Sequence, residues 1–371
     1  RQDVHRPRRR AGGDGTGGGS GAADAGAVLT ILGCKLDEIG QIGVRARDDV
    51  IVRIEECDFD GSRLGLVCDT AKKLTLENVK FQRSSRTCAL VHQTPAIIRT
   101  CTFRDSASGL ELSGTPDVTT ETENRPERVK CENSHFDQCE QSVTLREIDA
   151  ELVKNTISGG NTGITTDGDG TERLFRECRC AGARTAIRCD GIGDVFDQCL
   201  LTAGGAGMVG VWIEDEATPL FRNCEIRGFT SDAVRITGNG GGQFDGGILE
   251  GPQDSRCVSV EENARPVFRN VKMICEGTEV VRAGAKKGMI LEACEISGGG
   301  IGIHVTGTGN PRVTGKCQIS QNRQVGVQVD ANGGGAFEDC VISENGDFAL
   351  TLGESATATF TRCELRGGAS A

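Results

Sequence analysis

The sequence predicts an all-β fold: a single-stranded parallel β-helix of about 15 coils, with three short strands in each coil. A fixed repeat of 23 residues and an alternation of apolar residues with a period of two inside each repeat predict it. No stretch of useful length shows the 3.6-residue period of a helix. Short strands without helices between them are typical of a β-solenoid.

The repeat is marked by the triad Cys-x-apolar, whose first position we call the cysteine slot. Toward the C-terminus the slot holds Cys294, Cys317, Cys340 and Cys363, each 23 residues from the next. Upstream the slot holds Cys34, Cys57, Cys101, Cys178, Cys199 and Cys224, and, where Cys is missing, Val79, Ser134, Asn155, Gly247 and Val271. A period of this size indicates units that bury their apolar faces only against their neighbours.

Three strands are expected in each repeat. The first carries a large apolar residue three positions before the slot, the second begins at the slot, and the third has the pattern apolar-x-apolar. The first-strand residues are Phe175, Phe196, Phe221, Phe244, Phe268, Phe337 and Phe360. Third strands include Val211-Trp-Ile213, Val234-Arg-Ile236 and Ile303-His-Val305. Stacked ladders of these residues are expected to fill the interior.

Three segments are predicted. Residues 1–26 form an Arg/Gly-rich arm that cannot bury an apolar face and is expected to be disordered. Residues 27–368 form the β-helix, and residues 369–371 a tail. The chain begins with Arg and shows no polar cap after its last coil, so we expect a fragment that continues past Ala371 or is capped by a partner.

Charge and apolar content restrict the partners. The formal net charge of −11 argues against a nucleic-acid binder, which needs a basic stripe to neutralise phosphates. No stretch approaches the length of a membrane span.

Ten of the 18 cysteines occupy the slot, one per coil. Neighbouring slots would lie near 4.8 Å, slightly beyond the Cβ separation that disulfides prefer. Buried free thiols are therefore favoured, and the alternative is that some of the cysteines form disulfides. Thiols indicate a reducing, intracellular compartment, or an extracellular one if a leader is missing. Ligands spread along a ladder do not converge on a metal, and no metal or other cofactor is expected.

Some units show a family resemblance. Residues 324–346 (QVGVQVDANGGGAFEDCVISENG), 217–226 (ATPLFRNCEI) and 264–273 (ARPVFRNVKM) resemble the right-handed β-helix repeats of pectate-lyase-like proteins. They look most like the substrate-binding half of β-helix F-box proteins. The resemblance covers about residues 27–368. It implies right-handed coils and recognition of a substrate, whereas residues 1–26 are too short and polar to form an F-box.

Residues with acid, base or metal chemistry are sparse. The Gly-His-Gly of related hydrolases and the Asp-Pro-His-Asp of mannuronan epimerases are absent. Asp167 and Asp169 are the best acidic pair, and the Asp-Gly steps favour a turn over a calcium site. His304 is expected to be a solvated residue on the outer face of a third strand. These observations predict no catalytic residue.

Arg188, Trp212 and Arg235 follow one another on the outward column of the third strand. Two interpretations stay open: arginines that stack on an exposed indole, or a recognition patch, because Trp and Arg are enriched in binding hot spots. As a patch, these three residues would favour an acidic peptide or an anionic sugar.

The predicted function is a non-catalytic β-helix scaffold that recognises a protein or glycan ligand on a lateral face. The alternative is a carbohydrate-active lyase or epimerase that acts on an acidic polysaccharide beside the insertion at residues 113–128. Enzymatic activity is thus not favoured but stays open.

Overall fold

The computed structural model describes residues 27–114, 128–168, 172–205 and 207–367. Every regular element in these ranges is a β-strand, and every strand pairs in parallel with the corresponding strands of the adjacent coils. Three strands make one coil, and the coils stack into three columns that we call sheets A, B and C. Sheet B contains 15 strands, which agrees with the predicted number of coils. Sheets A and C are continuous through one long strand, β21 (Thr185–Asp197).

The strands of sheet A are β1 (Val28–Leu32), β4 (Ile51–Glu55), β7 (Lys73–Glu77), β10 (Ala96–Arg99), β13 (Val129–Glu132), β16 (Ala150–Val153), β19 (Arg173–Arg176), the end of β21, β24 (Thr218–Arg222), β27 (Gln243–Asp245), β30 (Val267–Arg269), β33 (Ile290–Glu292), β36 (Arg312–Thr314), β39 (Ala336–Glu338) and β42 (Thr359–Thr361). The strands of sheet B are β2 (Lys35–Asp37), β5 (Asp58–Asp60), β8 (Lys80–Gln82), β11 (Thr102–Arg104), β14 (His135–Asp137), β17 (Thr156–Ser158), β20 (Arg179–Ala181), β22 (Leu200–Thr202), β25 (Glu225–Arg227), β28 (Ile248–Gly251), β31 (Lys272–Cys275), β34 (Glu295–Ser297), β37 (Gln318–Ser320), β40 (Val341–Ser343) and β43 (Glu364–Leu365). The strands of sheet C are β3 (Ile42–Arg47), β6 (Leu64–Asp69), β9 (Thr87–His92), β12 (Ser108–Ser113), β15 (Gln141–Arg146), β18 (Thr162–Gly168), the start of β21, β23 (Val209–Ile213), β26 (Asp232–Ile236), β29 (Arg256–Val260), β32 (Glu279–Ala283), β35 (Ile301–Val305), β38 (Val325–Val329) and β41 (Phe348–Leu352).

The cysteine slot lies at the bend between sheets A and B, one residue before the sheet B strand, so its predicted place inside that strand is wrong. The residue before the slot adopts a left-handed backbone in most coils, as at Glu56 (φ 52°) and Glu177 (φ 51°). This conformation turns the chain sharply from sheet A into sheet B. The slot side chain then fills the inside of a narrow corner, where a small residue fits.

Polar residues in the slot follow from the same geometry. The Cys178 thiol donates to Leu152 O, 3.4 Å away in the previous coil. Ser134 Oγ donates to Glu132 O at 3.1 Å, and Asn155 Nδ2 donates to Cys131 O at 2.8 Å. Cysteine, serine and asparagine all supply a donor to a carbonyl at the bend.

The interior contains two ladders of stacked phenylalanines among the aliphatic and cysteine side chains. In sheet A the rings of Phe175, Phe196, Phe221, Phe244 and Phe268 stack with centroids 4.4–4.7 Å apart, which confirms the predicted column. A second ladder occupies the position two residues after the slot, where an apolar residue was predicted without being identified as phenylalanine. It lies in sheet B, where Phe59, Phe81, Phe103 and Phe136 stack at 4.7–5.3 Å.

All cysteines are buried except Cys34, which is exposed, and Cys363, which is partly exposed. Burial raises the pKa of the Cys101 thiol to about 11 and that of Cys180 to about 12. At neutral pH such groups stay protonated and react slowly with thiol reagents.

A buried ion pair interrupts the apolar interior where sheet C passes into sheet A. Arg173 Nε lies 2.5 Å from Asp194 Oδ1, and both side chains are fully buried. The same guanidinium donates to the carbonyl oxygens of Asp167 (2.6 Å) and Gly168 (3.1 Å). Thr166 Oγ1 donates to Asp194 Oδ2 at 2.5 Å. These hydrogen bonds join β21 to β18 and β19, its neighbours in the preceding coil.

Several predicted segments lie outside the described residues: the arm at residues 1–26, most of the insertion at residues 113–128, Asp169 and the tail. The described flanks place the insertion between β12 in sheet C and β13 in sheet A. Within the described part of the chain, no helix is long and apolar enough to cross a membrane.

Candidate recognition face

Arg188, Trp212 and Arg235 are register partners on β21, β23 and β26, and their side chains point outward from sheet C. The Arg188 guanidinium carbon lies 5.8 Å from the centroid of the indole, and that of Arg235 lies 5.9 Å from it. Because the two arginines come from opposite neighbouring coils, they cover the two faces of the ring. Trp212 is therefore half-buried, and the sequence correctly placed all three residues together.

Both guanidinium groups already have acidic partners. Arg188 Nε lies 3.0 Å from Glu214 Oε1, and Arg188 Nη2 lies 3.5 Å from Asp190 Oδ2. Arg235 Nη2 lies 2.5 Å from Asp232 Oδ2. The positive and negative charges of the patch are therefore nearly balanced. This balance weakens the attraction for an anion that the two arginines alone would exert.

Asp232 is the most buried acid of this group, with a fully buried side chain. It accepts hydrogen bonds from Arg235 and from Ser231 Oγ at 2.9 Å, and Arg256 Nε lies 3.6 Å from its Oδ1 atom. Two arginines from adjacent coils thus share one carboxylate beneath the surface.

Asp190 and Glu214 lie beside Arg188 and are partly buried. Burial raises the pKa of each carboxyl above its ordinary value, and the Arg188 guanidinium opposes that shift. Glu214 turns toward Arg188, whereas Asp215 and Glu216 are exposed.

Polar atoms without hydrogen-bond partners concentrate on this outer face. Within the described residues, the buried atoms that lack such a partner include five from its longer side chains: Asp190 Oδ1, Trp212 Nε1, Glu214 Oε1, Asp232 Oδ1 and Glu279 Oε2. Glu214 Oε1 lies 3.0 Å from Arg188 Nε and Asp232 Oδ1 lies 3.6 Å from Arg256 Nε, so both atoms have an ion-pair contact without a hydrogen bond. The others are Ser and Thr hydroxyls, of which Thr144 belongs to the same column. Leaving such an atom unpaired costs about 1–3 kcal/mol.

His304 lies farther along the same outward column, beyond Ser259 and Arg282. Its side chain is only 12% exposed, so the prediction of a solvated residue is wrong. Nδ1 lies 2.9 Å from Glu279 Oε1, and Nε2 lies 3.0 Å from Asp330 Oδ2. The two carboxylates come from the preceding coil and from the end of the following one, and they hold the imidazole against the sheet.

Burial alone would lower the pKa of His304, but the hydrogen bonds to Glu279 and Asp330 outweigh it and raise that pKa above its usual value. Burial likewise disfavours the charged form of both carboxyls. The contact with His304, and for Asp330 the hydrogen bond from Gln328, nevertheless lowers their pKa values. The arrangement thus favours the imidazolium form of His304 between the two carboxylates.

A family model described as a right-handed β-helix region matches residues 20–180 and 209–371. The chain belongs to the right-handed β-helix family. Its coils are right-handed, as predicted. No curated protein matches the chain.

Among solved structures, the chain is similar to the crystal structure of the periplasmic alginate epimerase AlgG, at 9% sequence identity and a TM-score of 0.27. The match covers 86% of this chain and 77% of that one. Similarity at this level carries no argument about activity.

In this right-handed β-helix, the acids beneath the surface were not found from the sequence. Asp232 and Glu279 begin β26 and β32 and lie three residues before Arg235 and Arg282. The third-strand pattern apolar-x-apolar omits that position. The sequence did contain a signal for these acids: an acidic residue stands three residues before an outward arginine, and the pattern returns two coils later.

Proposed function

We propose that the chain is a non-catalytic β-helix scaffold that recognises a glycan with the outer face of sheet C, centred on Arg188, Trp212 and Arg235. The observation that carries this proposal is the set of buried, unpartnered polar atoms on that face. Each such atom in a native structure calls for an explanation, which is a bound water or ion, stored strain or a functional role. A bound ligand would supply the missing partners.

The chemistry of these atoms favours a ligand rich in hydroxyl groups. Four of them are carboxylate oxygens, which accept hydrogen bonds, and the fifth is the Trp212 N–H, which donates. A sugar hydroxyl can donate to the former and accept from the latter. A charged protein segment would gain little net attraction here, because the arginines of this face are already paired with Asp190, Glu214 and Asp232.

Access to these atoms requires movement of the overlying side chains, because the unpartnered atoms have almost no exposed area. The Arg188 and Arg235 side chains are 44% and 35% exposed and lie on the two sides of the indole. We therefore expect the ligand to displace at least one guanidinium from the ring.

The test is a glycan array followed by calorimetric titration of each glycan that binds. Trp212→Phe keeps a ring but loses the N–H donor, and Trp212→Ala loses both. We expect affinity to fall about tenfold in the first variant and further in the second. Arg45→Gln, in the first coil of the same outward column, is the matched control and should bind like the parent.

Three outcomes would count against the proposal. The first is the absence of glycan binding, with capture of a protein ligand instead. The second is equal binding by Trp212→Ala and the parent. The third is turnover of an acidic polysaccharide, detected as ultraviolet absorbance of new double bonds or as epimerised residues by NMR, which would favour the enzymatic alternative.

As part of the proposal we retain an intracellular location, which follows from the predicted thiols.

A further inference from the structure

A cleft of about 450 Å³ opens on the surface of the β-helix. Its lining is basic, although the chain as a whole is acidic. It spans four coils at the points where the chain enters β30, β33, β36 and β39 of sheet A. Its floor is partly apolar and includes Ile290, Pro311 and Ala336. Gly288 (φ 78°) shapes the rim, because a Cβ atom there would lie 2.0 Å from Asn310 O.

Three cationic side chains line this cleft, Arg265, Lys287 and Arg312, and no acidic residue lines it. All three are exposed. In the part of the chain that the structure describes, none of them has a carboxylate within ion-pair distance, although many arginines elsewhere on the molecule do.

The acidic residues near the cleft on sheet A already have arginine partners. Glu292 lies 3.0 Å from Arg269 Nε, on the side of β33 away from the cleft. Glu338 and Asp339 both contact Arg362 in the last coil. The three cations therefore line the cleft without an ion-pair partner among the described residues, in a chain whose net charge is −11. Like charges gathered in this way are an electrostatic cost that a bound anion would relieve.

We propose that this cleft binds a small molecule that carries a phosphate group. A phosphate monoester is close to a dianion at neutral pH and presents three acceptor oxygens, which suits two guanidinium groups and an ammonium. The volume of the cleft lies in the range of small-molecule sites. The organic part of the ligand would rest on the apolar floor.

The cations lie on three successive coils, whose strands are about 4.8 Å apart, so that their long side chains can reach a phosphate held between them. Lys287 is the central member, because it precedes β33, whose coil lies between those of Arg265 and Arg312. The site is separate from the Trp212 patch and does not depend on the glycan proposal.

Calorimetric titration of the full chain with inorganic phosphate, pyrophosphate, glucose 6-phosphate and glucose tests the proposal. We expect saturable binding of the phosphorylated probes, no binding of glucose, and affinity that falls as NaCl is raised. Glucose 6-phosphate should bind more tightly than inorganic phosphate if the apolar floor contributes. Arg312→Gln and Lys287→Gln should each weaken binding about tenfold.

Arg222→Gln is the matched control, since Arg222 is exposed on the outer face of sheet A but does not line the cleft. That variant and Trp212→Ala should bind the probes like the parent. Equal losses in Arg222→Gln and Arg312→Gln would show only general attraction to a basic surface and would overturn the proposal. No saturable binding at roughly 10 mM probe would overturn it as well.

Discussion

His304 links three coils of sheet C through hydrogen bonds to Glu279 and Asp330, and this contact gives a pH dependence of stability. Its pKa is raised in the folded chain, so the fold favours the imidazolium. The stabilisation is complete below the unfolded pKa of about 6.5 and is lost as pH rises through the higher folded pKa. Arg282 is the register partner of His304 on the neighbouring strand, and its positive charge opposes formation of the imidazolium.

Thermal unfolding of the parent and of His304→Gln, between about pH 5.5 and 9, measures this contribution. We expect the parent to be more stable than His304→Gln at the acidic end of that range. The difference in stability between the two should shrink as pH rises above about 6.5. An NMR titration should place the His304 pKa above 6.5. A stability difference that grows with pH would contradict this account of the contact.

Trp212 contributes modestly to stability, because the indole lies outside the core but between two guanidinium groups. Each cation–π contact is worth about 0.5–1 kcal/mol, so Trp212→Ala should lower the free energy of unfolding by about 1–2 kcal/mol. Urea denaturation measures this. A loss well above 3 kcal/mol would mark Trp212 as a packing residue.

The sequence placed the Trp212 patch correctly because outward residues of a parallel β-helix align once the repeat is known. It could not show the partners of the arginines. Asp190, Asp232 and Glu214 reach the guanidiniums through side-chain rotations that the repeat does not specify. His304 was misjudged for the same reason, since its carboxylate partners come from the coil before it and from the end of the coil after it.

At the scale of the strands, the pair of Arg173 and Asp194 fixes how sheet C passes into sheet A. Arg173→Met would leave Asp194 buried without its cation, where burial already raises the pKa of that carboxyl. We expect the free energy of unfolding to fall by about 3–5 kcal/mol. Replacing both residues, as in Arg173→Met with Asp194→Leu, should restore part of that loss.

Arg176→Met is the matched control for this experiment. Arg176 lies on the same strand, β19, but its side chain is 44% exposed and lies 4.0 Å from its acidic partners. Its loss should cost less than about 1 kcal/mol. If both single variants unfolded alike in urea, the buried pair would have no special role.

The strands themselves were predictable to different extents. The sheet A phenylalanine column follows from the sequence because those residues share one offset from the cysteine slot. The sheet B column, Phe59 to Phe136, occupies the apolar position of the triad in only four coils, so the repeat predicts an apolar residue there but not a ladder of phenylalanines. The slot was placed inside a strand because the sequence does not reveal the left-handed residues that turn the chain there.

Across the whole molecule, the cysteines give a test of the predicted thiol state and of the intracellular location. With a thiol reagent at neutral pH, the native chain should react at Cys34, more slowly at Cys363, and little elsewhere, because the remaining cysteines are buried. After denaturation all 18 should react. Recovery of mostly disulfides under non-reducing conditions would refute both predictions.

The glycan-recognition proposal has a direct spectroscopic test, because Trp212 is the only tryptophan and the chain contains no tyrosine. Tryptophan fluorescence therefore reports on the proposed binding face alone. Titration of the native chain with glycans that bind on an array should shift or quench the emission, with a midpoint that matches the calorimetric affinity. Glycan binding that leaves the Trp212 emission unchanged would place the ligand elsewhere and contradict the assignment of this face.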